Sequence, residues 1–397
     1  MGMFSYMCKI SGEQIRSDLD EYDKHKNVIR LYYLKNGKII EEMHGLYNGY
    51  GAVETEDQTF HCIYDENGNP NFLGDGAVIE DGRYISGEIL EGIYLDMPND
   101  MYHSLDALNS SKLKCLSKSG RHYYRQVHDE LAKSVSTQLK KTFDRGTLAH
   151  AMILEPEIVH KEFARDVDKD ELLERGELLI SQDDLKSYCK EHKLKVSGNK
   201  KELSARILEH DSTVRIYDVI ETQHRLANIN KHMIDAKTWD AAERMYRSHK
   251  EHYYSNIAIQ DGFPELTVIA RCPNTGMLCR VRFDYISRLS FATDVKTAAS
   301  ADPLKVKYQM RDLRYDLQQA YYTYVASLAG INLTGFMFSY IETDHADICQ
   351  PYELDELTIV RATNDMHTLM AQLKQAEELG DYQGYASKDT VITLSLV

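Results

Sequence analysis

Asp294 and Lys296 stand two residues apart in the run FATDVKT. On a strand, both side chains leave one face while Val295 packs the other way. A carboxylate beside an ammonium can hold a divalent cation and a water together. The cation lowers the pKa of that water, and the lysine positions or deprotonates it. A DxK tripeptide is common by chance, so its weight depends on its neighbours. Asp284 comes late in the preceding run, where a hairpin would bring it alongside Asp294, and Glu265 opens the run before that. Three acids on three successive strands, converging at one end of a sheet, resemble a hard-metal site of oxygen ligands. Each alone also reads as a surface carboxylate at a strand end. Downstream, Tyr315, Gln318 and Tyr322 are spaced i, i+3, i+7 and share one helical face, more polar than a core stripe needs and suited to phosphate or sugar. Tyr315 serves equally well as packing on the sheet. His150 lies one turn after Gly146 in GTLAH, but the chain has 16 histidines, and a lone helical histidine is usually structural.

These residues need a scaffold. ELTVIARC reads as a strand, PNTG as a hairpin turn, MLCRVRFDYI as the returning strand and FATDVKT as a third. One long helix then runs from Pro303 to Gly330, and the strand GFMFSYIET follows. Helix, three strands, helix, strand is the order of an α/β core on a mixed sheet. Residues 355–380 read as helical. Upstream, residues 1–92 alternate short apolar runs with the turns NGYG, DENGNPN, GDG and EDGRY, which predicts a small β-rich module without a chemical motif. Ser110 and Ser111 are the expected caps of a helix through Leu113 and Leu116. FDRGTLAHAMILE predicts a further helix, stopped by Pro156. Around 180–210, DDLKSYCKEHKL and KKELSARILEH read as two amphipathic helices joined by the turn KVSGN. Mixed-charge helical segments continue to about Tyr254.

At 397 residues, the length corresponds to about two to three domains. No run approaches the roughly 18 apolar residues of a membrane span. MGMFSYMCKISGEQ lacks a basic region followed by an apolar stretch, so no secretory signal is expected. Seven scattered cysteines without a CxxC pair argue against a disulfide framework or zinc ribbon, and favour a cytoplasmic location. The net charge of −15 does not exclude a nucleic-acid partner, provided positive charge is concentrated locally. Residues 186–206 carry seven Lys/Arg against Glu191 and Glu202; residues 303–314 carry Lys305, Lys307, Arg311 and Arg314 against Asp312. Either stretch alone also reads as a solvated helix face.

The ordered set GTLAH(150)…LEP, PE(265), FD(284), D(294)VK(296) and YDLQ(318)QAYY(322) resembles the RecE-like exonucleases of the PD-(D/E)xK nuclease superfamily. IYLDMPNDMYHSLDALNSSKLKCLSKSGRHYY resembles the start of that nuclease domain, and QGY its close. The likeness runs from about Ile93 to Tyr385, interrupted near 167–212. It implies a restriction-endonuclease-like mixed sheet flanked by helices. His150, Glu265, Asp284 and Asp294 would be metal ligands with the Val295 carbonyl, Lys296 the catalytic lysine, and Gln318 and Tyr322 would stabilise the site or contact DNA. The cofactor would be Mg2+, with Mn2+ able to substitute. The implied activity is ATP-independent hydrolysis of linear duplex DNA in phage- or prophage-type recombination, beside a single-strand annealing protein. Ring-forming relatives imply a homo-oligomer. No cysteine set matches an iron–sulfur site, so no cluster is expected.

The interrupting segment resembles a SAP motif, a helix–turn–helix DNA-binding module, with Leu185, Leu194, V196-S-G-N199 and Leu203 in its core and turn positions. Lys193, Lys195, Lys200 and Lys201 there, and Arg311 and Arg314 in the core, are the expected DNA contacts. The chain therefore divides into a β-rich module (1–92), a helical first part of the nuclease domain (93–166), the SAP-like insertion (167–212) and the catalytic core (213–397). Two rival readings stay open: a site- or structure-specific endonuclease on the same core, and a non-catalytic DNA-binding protein.

Overall fold

A computed structural model describes residues 77–129, 145–343, 347–386 and 389–395, apart from Leu90, Leu95 and Asp96; within residues 4–62 it describes backbone strands alone. Six antiparallel strands, β1 (Phe4–Cys8), β2 (Gln14–Asp23), β3 (Val28–Lys35), β4 (Lys38–Tyr47), β5 (Ala52–Glu54) and β6 (Thr59–Cys62), close into a barrel where β1 pairs with β6. The expected turns NGYG, DENGNPN and GDG lie outside the described residues. EDGRY turns between β7 (Val78–Glu80) and β8 (Arg83–Ser86), with Asp81 and Gly82 at positive φ. After β9 (Gly92–Tyr94) come α1 (Asn99–Ser104), α2 (Ser110–Leu116) and α3 (Gly120–His128). Asn109, rather than either serine, caps α2, its side chain accepting from the Lys112 amide at 2.9 Å.

Contacts divide the chain into two compact units, one of Met1–Thr142 with Ser248–Val397 and one of Phe143–Arg247. The second holds α4 (Arg145–Leu154), α5 (Pro156–Glu162), β10 (Phe163–Arg165), α6 (Lys169–Glu174), α7 (Gln182–Glu191), α8 (Lys200–His210), α9 (Tyr217–Ala227) and β11 (His232–Ile234). As expected, the first long helix ends before Pro156, which then opens α5 at a position where its missing N–H costs nothing. The two amphipathic helices are α7 and α8. Each begins with a capping box, Ser181 with Asp184 and Asn199 with Glu202. Leu185, Cys189, Leu203 and Ile207 form their shared core. Gly198 in the turn holds φ +135°, and a Cβ there would lie 2.6 Å from the Glu202 carboxylate, so the turn requires glycine.

α10 (Ala236–Glu251) and α11 (Tyr253–Ala258) lead into the strands β12 (Gly262–Pro264), β13 (Thr267–Arg271), β14 (Leu278–Arg282), β15 (Tyr285–Ser287) and β16 (Phe291–Ala298). The chain ends through α12 (Pro303–Asp312), α13 (Tyr315–Leu328), β17 (Gly335–Glu342), β18 (Cys349–Tyr352) and α14 (Glu356–Leu379). A mixed sheet runs β12-β15-β16-β17-β18, with β16 and β17 parallel and its other pairs antiparallel; a second sheet runs β14-β13-β9. Nearly every residue of β17 is buried, the pattern of a central strand covered on both faces. Phe338 and Tyr340 of β17 pack with Val281, Tyr321 and Met366 in one core. This is the mixed α/β architecture expected.

Two expectations are corrected. The returning strand is not continuous: it bends at Asp284, so β14 and β15 belong to different sheets. Glu265 bends the partner strand at the matching point, in the left-handed region at φ +51°, and its amide donates to the Asp284 carbonyl at 3.0 Å. The hairpin is thus one ribbon folded across both sheets. The long helix also breaks, at Arg314, which takes φ +50° without a glycine or proline to announce it. Arg314 offsets that backbone cost through ion pairs to Asp316 at 3.0 Å and Asp365 at 2.8 Å. Gly330, at φ +81°, follows the end of α13 as expected.

Candidate active site

β16 places Asp294 and Lys296 on one face, and the two side chains form an ion pair. Asp294 is only 3% exposed, and Val295 packs into the interior. β15 pairs with β16 only as far as Thr293, so the next amide, that of Val295, lacks a strand partner on that side. The Asp284 carboxylate takes that place and accepts from the Val295 amide at 2.7 Å. The bend after β14 is what sets Asp284 there. That hydrogen bond, from the Val295 backbone amide to the Asp284 side chain, sets the two acids on adjoining segments.

α13 supplies the opposite wall. Gln318 donates from Nε2 to Asp294 Oδ1 at 2.6 Å. Tyr315 stacks on Phe338 with centroids 5.7 Å apart, and the Lys296 ammonium lies 5.0 Å from the centre of its ring. Tyr322 turns its ring edge-on to Phe283 and Phe336. The helical face expected to be polar thus splits: Gln318 meets the carboxylate, and Tyr322 packs among aromatic rings.

Electrostatics follow from burial. Burial works to discharge Lys296, but Asp294, Asp284 and Tyr315 outweigh it and hold its pKa above the ordinary lysine value. Burial raises the Asp294 carboxyl; the Lys296 charge opposes that, and the Asp284 charge adds to it. A hard cation suits such a pair of carboxylates, because it relieves their mutual repulsion. Among the described residues no three His, Cys, Asp or Glu side chains gather as a ligand group. Mg2+ needs no such cage, since it is commonly held by one or two carboxylates, waters and substrate phosphates. The donor set Asp284, Asp294 and the Val295 carbonyl therefore fits a hard divalent ion.

The other expected residues are placed differently. Glu265 is half-buried at the ribbon's bend, 3.8 Å from the Arg282 guanidinium. His150 is half-buried on α4, in the second unit. Arg314 is engaged by its two aspartates, while Arg311 pairs with the adjacent Asp312 and lies over Tyr308. Lys193, Lys195 and Lys201 are exposed, and Lys200 pairs with Asp218 at 2.8 Å. One site residue escaped sequence reasoning. Lys114 of α2 donates to Gln318 Oε1 at 2.6 Å and lies 4.5 Å from the Tyr315 ring centre. Its only sequence signal is that Ser110 and Lys114 are four apart, as are Gln318 and Tyr322, so each pair can form a polar stripe on its helix. An apolar recess of about 690 Å³, lined by Tyr254, Ile257, Leu289, Phe291 and Met337 among others, contains none of these residues.

Residues 109–387 match the family described as PDDEXK-like domain of unknown function (DUF3799). No curated protein matches the chain. Among solved structures, a candidate exonuclease from Eubacterium rectale aligns at 13% identity and a TM-score of 0.30, over 41% of this chain and 64% of its own. The protein SSO0001 aligns at 18% identity and a TM-score of 0.20, over 56% of this chain and 85% of its own. This chain thus spans less than two thirds of the Eubacterium rectale protein.

Proposed function

The chain belongs to the PDDEXK-like family, within the PD-(D/E)xK nuclease superfamily, and from that premise we propose that it is a divalent-metal-dependent exodeoxyribonuclease hydrolysing linear duplex DNA. The observation that carries this reading is the buried Asp294–Lys296 pair, with Asp284 bound to the Val295 amide between them. Asp284, Asp294 and the Val295 carbonyl would hold Mg2+, or Mn2+ in its place; the ion supplies an activated water and charge neutralisation at the scissile phosphate. Lys296, ion-paired with Asp294, positions or deprotonates the attacking water and stabilises charge on the phosphoryl oxygens. Gln318 fixes the Asp294 carboxylate from the side away from Lys296.

We assign Glu265 and His150 as further ligands on the resemblance to RecE-like exonucleases, and the α7–α8 pair as a SAP-like DNA-binding insertion. Lys195 and Lys201 there are exposed, as backbone contacts must be. Recombination beside a single-strand annealing protein, in the cytoplasm and as a homo-oligomer, belongs to the same reading.

End-labelled linear duplex and closed-circular duplex, incubated across a Mg2+ titration, test it together. Loss of label from the linear form with intact circles is expected. Cutting of circles would instead support a site-specific endonuclease, and metal-independent binding without cleavage a non-catalytic protein. Loss of Mg2+ response in His150→Ala or Glu265→Gln marks those residues as ligands; an unchanged response removes them.

A further inference from the structure

We propose that Lys114 is a positioning residue of the nuclease centre, acting on Asp294 through the Gln318 amide. This rests on the nuclease reading of that centre. Lys114 comes from α2, some 180 residues before the DxK strand, and joins Asp294 in a two-step relay. Its ammonium donates to Gln318 Oε1 at 2.6 Å, and Gln318 Nε2 donates to Asp294 Oδ1 at 2.6 Å.

The order of donors admits one arrangement. An ammonium can only donate and an ionised carboxylate can only accept. Gln318 must therefore turn its oxygen to Lys114 and its nitrogen to Asp294. Without Lys114, nothing at that end distinguishes the two ends of the amide. A flipped Gln318 would present its oxygen to the Asp294 carboxylate, acceptor against acceptor. The relay thus fixes which way the carboxylate faces, and the Lys296 ion pair takes its other oxygen. Bonds in such a chain polarise one another inside a protein.

Two further features keep Lys114 in place. The Tyr315 ring, stacked on Phe338, lies 4.5 Å from the Lys114 ammonium and 5.0 Å from that of Lys296, giving both an aromatic partner. The Tyr321 hydroxyl donates to the Leu108 carbonyl at 2.7 Å, tying α13 to the segment that leads into α2. Burial and the nearby Lys296 charge bring the Lys114 pKa down to about 7, against the pull of Asp294 and Asp316. Below that value the ammonium can only donate; above it the neutral amine still donates N–H to Gln318 Oε1, and the Asp294 carboxylate alone keeps the orientation of the amide.

A double-mutant cycle tests this against plain loss of packing. Lys114→Met, which keeps the stem, should lower kcat about 10–100-fold with KM little changed, the usual cost of removing a partner that orients a site ligand. Gln318→Leu should do the same, and the double variant should be no worse than Gln318→Leu alone. Additive losses, or a change confined to KM, overturn the proposal; the latter would mark Lys114 as a phosphate contact. Should Lys114→Met fail to fold, Lys114→Gln enters the same cycle.

A second readout needs no catalysis. In the wild-type protein the Gln318 side-chain amide should show slowed hydrogen exchange by NMR, and that protection should vanish in Lys114→Met. An unchanged amide sinks the relay even if the chain cleaves nothing. If wild type cleaves, Asp294→Ala does not, and Lys114→Met matches wild type, the nuclease reading stands and this inference alone fails.

Discussion

Lysines in the two units of the chain live under different physics. In the first unit, Lys296 and Lys114 are drawn into an interior centre, where each ammonium has assigned partners and an aromatic ring. In the second, Lys193, Lys195 and Lys201 stand in water on or beside the α7–α8 pair. Low dielectric magnifies every charge in the centre, so a few groups depend steeply on one another. On the solvated helices each charge acts weakly, screened by salt, and its effects add. The first arrangement suits bond breaking; the second suits sequence-tolerant attraction to a polyanion. The supporting hydrogen bonds differ in the same way. Those of the centre join residues far apart in sequence, Lys114 to Gln318 and Gln318 to Asp294. Those of the helix pair are local, Ser181 with Asp184 and Asn199 with Glu202.

The sharpest break of this contrast is at the DxK strand. Asp294→Ala or Lys296→Ala should reduce cleavage at least about 10³-fold, near the upper range for a positioned acid–base group, while binding of duplex persists. Initial rates and filter binding on the same preparations measure it; activity within tenfold of wild type in either variant removes the site.

Next comes a buried titratable group of the first unit. His249 is fully buried, and neither ring nitrogen has a hydrogen-bond partner among the described residues. Burial, with the neighbouring His252, lowers its pKa from 6.5 to about 4. Between those values the unfolded chain holds a proton that the folded chain refuses, so stability falls as pH drops through the window. The full effect is of the order of 3 kcal/mol. Denaturant midpoints at pH 7 and pH 4.5 should diverge strongly in wild type and less in His249→Leu; equal slopes would show that another group sets the acid limit.

Effects in the helix pair should be smaller and local. Asn199→Ala removes a capping box and should cost about 1 kcal/mol, seen as faster amide exchange in α8 with kcat unchanged. Smallest is the charge effect. Lys195→Gln with Lys201→Gln should weaken duplex binding uniformly across sequences and flatten the slope of log K against log salt by about one per lysine neutralised. Lys200→Gln should do less, because Asp218 already occupies it. A kcat effect from these lysines at saturating DNA would erase the distinction between the units.

What could be read in advance follows from how far apart the partners lie. The DxK spacing, the period of the helices, the Pro156 boundary and the glycine after α13 are local features, and residue type alone fixes them through backbone sterics and side-chain periodicity. The mixed α/β core was legible for the same reason. The bend that splits the hairpin at Glu265 and Asp284 was not, because both residues sit in runs with ordinary strand patterning. Nor was the break at Arg314, where a left-handed residue depends on aspartates supplied by the following helix and by α14. Lys114 is the clearest case. In sequence it is one of three lysines within the short run SKLKCLSK, and only the docking of α2 on α13 brings it to the Gln318 amide. The sequence by itself determined which residues could do chemistry and which elements would carry them. The tertiary structure decided which charges share one buried centre, because low dielectric and a defined donor order exist only once distant segments have packed and water has left.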